Sequence, residues 1–250
     1  MSGGDSALFL QSITTNDISG ISDKSLIYTF FLNAQGRFLF DAFIFQINND
    51  IYIELDRDNL EKFEKRINFI KLKADVKLSR ADELFALYSR DQMNIGYSFK
   101  DPRDDRLGYR SYVTEQLSGE DSSLYQNDKY KYIIPDGFID LEYEKTLLPE
   151  FDPEGLNAIS YTKGCYTGQE VMSRAKYQGV LRKSLYLLEI YDKIPGGSEV
   201  RINDSKAGYI TSSYNGKAIA LLKDEFIDAI PKEAKINENS SGKIIDVRRE

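Results

Sequence analysis

The chain lacks histidine and tryptophan, and Cys165 is the one cysteine among its 250 residues. Without histidine it has no Ser-His or Cys-His pair, no imidazole proton shuttle and no histidine metal ligand. One thiol excludes an internal disulfide and a self-contained four-cysteine metal site, and it fits a reducing compartment. Chemistry performed by this chain's own side chains is therefore left to Cys165, a carboxylate, a lysine or a tyrosine.

Basic residues are outnumbered, with 33 lysines and arginines against 40 acidic residues and a formal net charge of −7. A surface that neutralises phosphates needs a basic excess, so we expect no nucleic-acid partner, although a local basic patch stays possible. No apolar run approaches the roughly 18 residues that span a bilayer. The first residues resemble neither a signal sequence nor an Arg-rich transit peptide. We therefore expect no membrane partner and a cytoplasmic, bacterial location, with the mitochondrial matrix as the alternative if a transit peptide has been removed.

The apolar pattern predicts a globular α+β fold, in which short apolar runs form strands and a period of 3.6 marks a helix. The first part contains a short helix start at 7–18, strands at 26–32, 38–47, 51–55, 76–78 and 84–88, and helices at 58–70 and 141–147. Residues 109–117 fit a strand or a helix equally well. After a boundary near 179–183, turn residues separate strands at 184–190, 199–202, 206–211 and 217–222. This second part predicts a small antiparallel barrel or sandwich.

The cysteine lies just before a predicted helix, at residues 168–176. Thr167 and Glu170 have the spacing of a capping box, in which each side chain accepts from the other residue's amide. Cys165 would then lie near the unpaired amides and the positive end of the helix dipole, where a thiolate is stabilised over a thiol. Against this reading stands the commoner one, in which a lone cysteine is a small buried apolar residue.

Residues 163–170, Lys-Gly-Cys-Tyr-Thr-Gly-Gln-Glu, followed by Arg174 and Gly179, resemble the signature of the YgfZ family. These proteins are folate-binding relatives of the glycine-cleavage T-protein that act in iron–sulfur protein biogenesis. Weaker similarity to the family lies at residues 9–17, 32–37, 101–110, 208–212 and 218–222.

The resemblance implies a T-protein-like, pseudo-symmetric α/β body with a central opening, plus a small C-terminal antiparallel β-barrel. The body would span residues 1–179, as two lobes divided near 95–105, and the barrel residues 180–250. Tetrahydrofolate would bind in the opening, near the cysteine segment. Aromatic residues suit its flat pterin and cations suit its glutamate tail, and the chain has 17 tyrosines and 14 phenylalanines.

The resemblance also assigns roles to individual residues. It implies Cys165 and Lys163 as the catalytic residues, with Cys165 as a possible single ligand of a shared cluster and no other metal site. It implies folate contacts from residues in several separate blocks of the chain: Gly164, Tyr166, Gly168, Gln169, Glu170, Arg174, Asn16, Asp17, Asn33 and Arg110.

Two features depart from aminomethyl-transferring T-proteins. Their Arg-x-Glu-x-Gly block corresponds to residues 133–137, Ile-Ile-Pro-Asp-Gly, which lack the arginine and the glutamate. Their catalytic aspartate has no secure counterpart, although Asp56 and Asp58 lie in the corresponding neighbourhood. The charged runs at 101–106 and 248–249 are interpreted as a solvated loop and a solvated tail.

Three hypotheses follow from these observations. The first is a tetrahydrofolate-binding accessory protein in iron–sulfur cluster assembly or repair, whose partners are folate and assembly or client proteins. The second is a tetrahydrofolate-dependent one-carbon transferase, either an aminomethyltransferase or a demethylase. The third is an interaction module with an inert cysteine.

Overall fold

The N-terminal sheet consists of β1 (Ile27–Leu32), β2 (Phe38–Ile47) and β3 (Asp50–Glu54), paired antiparallel in that order. The structure is a computed structural model that describes residues 1–115, 122–179, 181–238 and 240–248. Almost every residue of β1 and β2 is buried, because alternate side chains enter two different cores. Tyr28 and Phe30 enter a central core, whereas Phe31 enters an outer core.

Two helices cover the outer face of this sheet: α1 (Ser6–Ile13) and α2 (Leu60–Ile70). Phe63 and Ile67 are the buried residues of α2, one turn apart, so that the predicted period-3.6 stripe faces the sheet. Asp56 accepts from the amide of Asp58 at the short 3-10 turn before α2. The predicted strand at 76–78 is reduced to one isolated bridge, between Ser2 and Lys77.

A second sheet has the strand order β4 (Phe85–Ser89), β6 (Tyr109–Val113), β5 (Tyr97–Lys100). The undecided segment at 109–117 is thus a strand as far as Val113, and its last two residues lie outside the described part of the chain. The short helices α3 (Ser123–Lys131) and α4 (Gly137–Asp140) follow.

The predicted helix at 141–147 is wrong. Glu144 has a positive φ, its amide donates to the carbonyl of Phe38, and the amide of Phe38 donates to the carbonyl of Thr146. Its own bonds are those of a single turn, from the amides of Lys145 and Thr146 to the carbonyl of Glu142, and the segment otherwise extends the hydrogen bonding of β2.

The C-terminal part is a closed antiparallel barrel that follows α5 (Gln169–Gln178). Its strands are β7 (Lys183–Ile190), β8 (Glu199–Ile202), β9 (Ser205–Tyr214), β10 (Lys217–Lys223), β11 (Lys232–Ile236) and β12 (Ser240–Arg248), in the closed order β10-β7-β12-β11-β8-β9. The four predicted strands are confirmed, and closure decides between a barrel and a sandwich.

The interpretation of residue 248 as part of a solvated tail is wrong. The Arg248 side chain is buried, and its guanidinium donates to Asp152 at 2.8 Å and to the carbonyl of Gly155 at 2.7 Å. The last strand is thereby tied to the body. Arg249 lies outside the described residues.

Candidate functional site

Cys165 is exposed, on the short segment that connects the body to α5. The interpretation as a small buried apolar residue is therefore wrong. The segment around the thiol is fixed by its backbone: the amide of Thr167 donates to the carbonyl of Ser12 in α1 at 3.0 Å. The accessible sulfur thus lies on a segment that is anchored to α1.

The predicted capping box is absent. The N-cap residue of α5 is Gly168, in the left-handed region at φ +85°, and not Thr167. The helix therefore starts one residue late for Glu170 to occupy the position that a capping box requires. Glu170 instead accepts from Arg174 at 2.8 Å, and both side chains are exposed, while Gln169 begins the helix and is partly exposed.

Gly168 also marks the closest approach of this segment to the first hairpin. A Cβ added there would lie 2.9 Å from the carbonyl oxygen of Asn33. The side chain of Asn33 accepts from the amides of Gln35 and Arg37 and shapes the turn between β1 and β2. Gly164, in contrast, has open space around its Cβ position.

The Lys163 ammonium is buried and donates to two backbone carbonyls, of Thr14 at 2.8 Å and of Asn16 at 2.7 Å. Burial lowers its pKa to about 8. The ammonium also lies 5.2 Å from the ring centre of Tyr166, whose buried hydroxyl has no hydrogen-bond partner among the described residues. Through these contacts Lys163 holds the cysteine segment against the loop after α1.

Asn16 and Asp17 are engaged in holding that same loop. The side-chain amide of Asn16 donates to the carbonyls of Tyr28 and Asn157 at 2.9 and 2.7 Å. Asp17 accepts from the amide of Ser19, the first cause of its lowered pKa, and from the side chain of Gln11. The structure therefore brings Lys163, Asn16 and Asp17 together with the cysteine segment.

Arg110 belongs to a different region, which we call the central cluster and define as Tyr28, Asp41, Phe43, Glu54, Asp101, Arg103, Arg110, Tyr112, Tyr125 and Asp136. The Arg110 guanidinium pairs with both oxygens of Glu54, at 2.6 and 3.0 Å, and lies 4.0 Å from the ring centre of Phe43. Burial alone would raise the pKa of Glu54, but the attraction of Arg110 outweighs it and lowers that pKa. Arg110 and Glu54 keep partial exposure, at 13% and 23% of their side chains.

Asp101 and Arg103 form a fully buried pair beside Arg110. Two nitrogens of Arg103 donate to the two oxygens of Asp101, at 3.0 and 2.7 Å, and a third donates to Tyr125 at 3.1 Å. The sequence interpretation of 101–106 as a solvated loop is therefore wrong for this pair, although Arg106 is exposed.

Sequence reasoning missed Asp41, the acidic residue of the otherwise apolar strand β2. Its carboxylate accepts from the Tyr28 hydroxyl at 2.8 Å and from the Gly137 amide at 3.3 Å. Burial, reinforced by the negative charge of Asp136, raises its pKa to about 6. A carboxylate inside an apolar run is rarely left without a role, and that was the available signal. Asp56, considered earlier, has a pKa that burial also raises.

Lys129 lies beside Asp136, an acidic residue of the central cluster, and beside Asp140. Its ammonium is fully buried, 3.3 Å from Asp140 and 3.7 Å from the partly exposed Asp136. Although burial alone would lower its pKa, these carboxylates raise it. The Asp140 carboxylate also accepts from Thr211 of the barrel, at 2.6 Å, so this ion network joins the two parts of the chain.

The described residues lack two features that would define the class of site. Within the described residues, no group of three or more Asp, Glu or Cys side chains is arranged to hold a metal ion. No described helix has the length and apolar character needed to cross a bilayer.

The fold is similar to that of a solved aminomethyltransferase. A solved structure with a TM-score of 0.69 is the glycine cleavage system aminomethyltransferase T from Bartonella henselae, which matches 98% of this chain and 81% of its own length. At 11% identity this similarity describes the fold alone. It confirms the T-protein-like α+β fold with a C-terminal barrel.

The sequence relatives are iron–sulfur cluster assembly factors. The chain is 31% identical to the mitochondrial IBA57 homologue of Pyricularia oryzae, over 77% of this chain but 55% of that protein. It is 26% identical to mouse mitochondrial IBA57, over 95% of this chain and 78% of that protein. The chain thus spans about half the length of the fungal relative. No protein-family model matches it.

Proposed function

We propose that this chain is a tetrahydrofolate-binding factor in iron–sulfur cluster assembly or repair, and that Cys165 is the group it presents to a partner protein. The observation that carries the proposal is an exposed thiol on a segment that is hydrogen-bonded to α1, in a chain whose relatives are named as assembly factors. A sulfur in this position is accessible to another macromolecule.

A single thiol cannot retain a cluster, because such clusters take about four ligands. Cys165 is this chain's lone cysteine, so the remaining ligands have to come from a partner or client. We treat the cluster as cargo, to which this chain contributes one sulfur.

The central cluster is the proposed folate site, and its residues fit that group. The partly exposed Tyr125 offers aromatic surface for a pterin, whereas Tyr28 and Phe43 are buried against guanidiniums, and the partly exposed Arg110 offers a cation for a carboxylate. Asp41 and Asp136 can accept from ring N–H groups. Of the predicted folate residues, Arg110 belongs to this cluster, and those near Cys165 line the neighbouring segment.

The thiol role is tested by complementation of cells that lack their own assembly factor, with the activity of an iron–sulfur enzyme as readout. We expect the wild-type chain to restore activity and Cys165→Ser to fail, at equal protein level and equal thermal stability. Thr162→Ser, another exposed position of the same segment, is the matched control and should restore activity. Full rescue by Cys165→Ser contradicts the thiol role.

The alternative is a tetrahydrofolate-dependent one-carbon transferase, and Asp41 is the observation that favours it. A carboxyl with a pKa of about 6 can accept and return a proton near neutral pH. Tetrahydrofolate would supply the one-carbon chemistry through its ring nitrogens. The readout is methyl-tetrahydrofolate formed from a methylated amine, or methylene-tetrahydrofolate formed with release of ammonia from a lipoyl-bound aminomethyl donor, and absence of product with every donor leaves binding alone. If the chain binds neither folate nor a cluster partner, the hypothesis that remains is an interaction module with an inert cysteine.

We propose the mitochondrial matrix as the location, since the relatives are named as mitochondrial proteins. Fractionation of cells that express the tagged full-length protein tests this proposal. Recovery in the cytosolic fraction supports the cytoplasmic expectation instead.

A further inference from the structure

Positive charge is concentrated in one segment of this acidic chain. Residues 62–80 contain seven lysines and arginines against two acidic residues, a formal net charge of +5, whereas the whole chain carries −7. The segment includes most of α2 and the turn after it. Phe69 and Leu72, in the same segment, expose 75% and 85% of their surface to solvent. Large apolar side chains therefore project from the most basic part of the molecule.

Hydrogen bonds fix the start of α1 beside this segment. Ser2 and Lys77 exchange two backbone bonds, at 3.0 and 2.8 Å. The Asp5 carboxylate accepts from the backbone amide of Asp75 at 2.8 Å, and the Asp75 carboxylate accepts from the backbone amide of Gly4 at 2.9 Å. Leu8, which lies one turn into α1 and is 77% exposed, is thereby brought to the same corner. We call this surface the basic corner, defined by Leu8, Phe69, Lys71, Leu72, Lys73 and Lys77; the exposed Asp5 and Asp75 lie beside these lysines and accept from backbone amides.

Leu72 has a backbone conformation that a leucine rarely adopts. It follows the C-cap residue of α2 at φ +48°, a position that usually belongs to glycine. The turn is fixed by the Lys71 ammonium, which donates to the carbonyl of Val76 at 2.7 Å. The leucine side chain is both strained and exposed, so it stabilises nothing within the free chain. A contact with a surface outside the chain would account for a leucine at this position.

We propose that the basic corner binds an anionic lipid surface, with Leu8, Phe69 and Leu72 entering the interfacial layer and the lysines reaching the headgroups. Basic side chains are attracted to such a surface, and exposed apolar side chains add to the binding. Five of the seven basic residues at 62–80 are lysines. Lysine is depleted at protein–protein interfaces but suits headgroups, because its stem lies along apolar surface. The expectation of no membrane partner rested on spanning segments, which a peripheral contact does not need.

Binding at this corner would place the cysteine segment near the membrane. Helix α1 begins at the corner and ends where Ser12 accepts from Thr167. Eight residues of helix extend about 12 Å at 1.5 Å per residue. Cys165 would therefore meet its partner close to a lipid surface.

Vesicle flotation of the full-length protein tests the proposal, with phosphatidylcholine vesicles that either contain or lack phosphatidylserine. We expect binding to the anionic vesicles alone, lost on raising the salt from about 0.1 M to about 1 M, where the screening length falls from about 10 Å to about 3 Å. Lys73→Glu with Lys77→Glu should weaken binding about 30-fold or more. The matched controls are Lys193→Glu and Tyr191→Ser, both at exposed positions of the barrel, and they should bind like the wild type.

Leu72→Gly separates membrane binding from folding. It removes the strained side chain, so we expect a higher melting temperature together with binding about five-fold weaker. The proposal is overturned if the wild type ignores anionic vesicles, or if the Leu72 and lysine variants bind as well as it does. Binding of poly-glutamate as tight as binding of vesicles would identify an acidic protein as the occupant and also overturn it.

Discussion

The cysteine segment and the central cluster use polar groups in opposite ways. At the cysteine segment the chemically interesting atom, the Cys165 sulfur, is exposed, and the polar groups around it hold backbone in place. In the central cluster Asp41, Glu54 and Asp101 are themselves buried or partly buried, bonded to an arginine or a tyrosine, and shifted in pKa. The difference fits the proposal that the first region meets a macromolecular partner and the second a small ligand.

The largest effect should come from breaking the buried pair of the central cluster. Arg103→Leu leaves Asp101 charged, buried and without its bidentate partner, which we expect to lower the free energy of unfolding by about 3–5 kcal/mol. Arg174→Leu breaks the exposed pair with Glu170 near the cysteine and should change it by less than about 0.5 kcal/mol. Urea unfolding of both variants measures the contrast, and similar losses would show that the two regions do not differ as described.

Glycine substitutions in the cysteine segment give the next largest effect. Gly168→Ala puts a Cβ 2.9 Å from the Asn33 carbonyl in a left-handed conformation, and we expect it to cost about 2 kcal/mol. Gly164→Ala meets open space and should be close to neutral. Thermal melts compare the two, and equal destabilisation would mean that Gly168 does not anchor the segment to the hairpin.

Lys163→Met tests whether this lysine holds the cysteine segment against the loop after α1. Loss of its bonds to the Thr14 and Asn16 carbonyls should lower the free energy of unfolding by about 1.5 kcal/mol and change the rate at which iodoacetamide alkylates Cys165. The folded pKa of about 8 lies below the ordinary 10.5, so the unfolded chain binds more protons between these values. The stability of the wild type relative to Lys163→Met should therefore rise with pH across that window. A flat difference contradicts the buried ammonium, and Lys193→Met serves as the exposed control.

The smallest effect concerns the titration of Asp41. Its folded pKa of about 6 lies above the ordinary 3.8, so the fold favours the neutral carboxyl. The wild type should lose stability relative to Asp41→Asn as the pH rises from about 4 to about 6, and keep that difference at higher pH. The loss should be about 1 kcal/mol, because the partial exposure of Asp41 screens much of the roughly 3 kcal/mol that the full shift would supply. Urea midpoints measured at several pH values give the comparison, and a pH-independent difference would place Asp41 in a solvated environment.

The strands and the main amphipathic helix were predictable because each depends on its own residues. β1 and β2 are continuous apolar runs joined by an Asn-Ala-Gln-Gly turn, and α2 has an apolar stripe with helical spacing. Helix α3 was not predictable, since its sequence, Ser-Leu-Tyr-Gln-Asn-Asp-Lys-Tyr-Lys, has no apolar period. Its buried Lys129 acquires partners through the tertiary fold alone.

The candidate site divides in the same way. The motif around Cys165 was visible as a local pattern, but the role of Lys163 depends on carbonyls more than a hundred residues away. The capping box failed by one residue, because Gly168 can adopt the left-handed conformation that starts the helix later. The pairing of Arg110 with Glu54 and the contact of Asp41 with Gly137 join distant segments, and no local spacing encodes them.

The separation of a small-ligand region from a thiol region is tested most directly by calorimetric titration with tetrahydrofolate. We predict that the wild type and Cys165→Ser bind it equally at micromolar concentration. Arg110→Lys keeps the charge but loses the two-point contact with Glu54, and it should bind at least about tenfold more weakly. Absence of binding by the folded wild type, or weakening by Cys165→Ser and not by Arg110→Lys, would contradict the account.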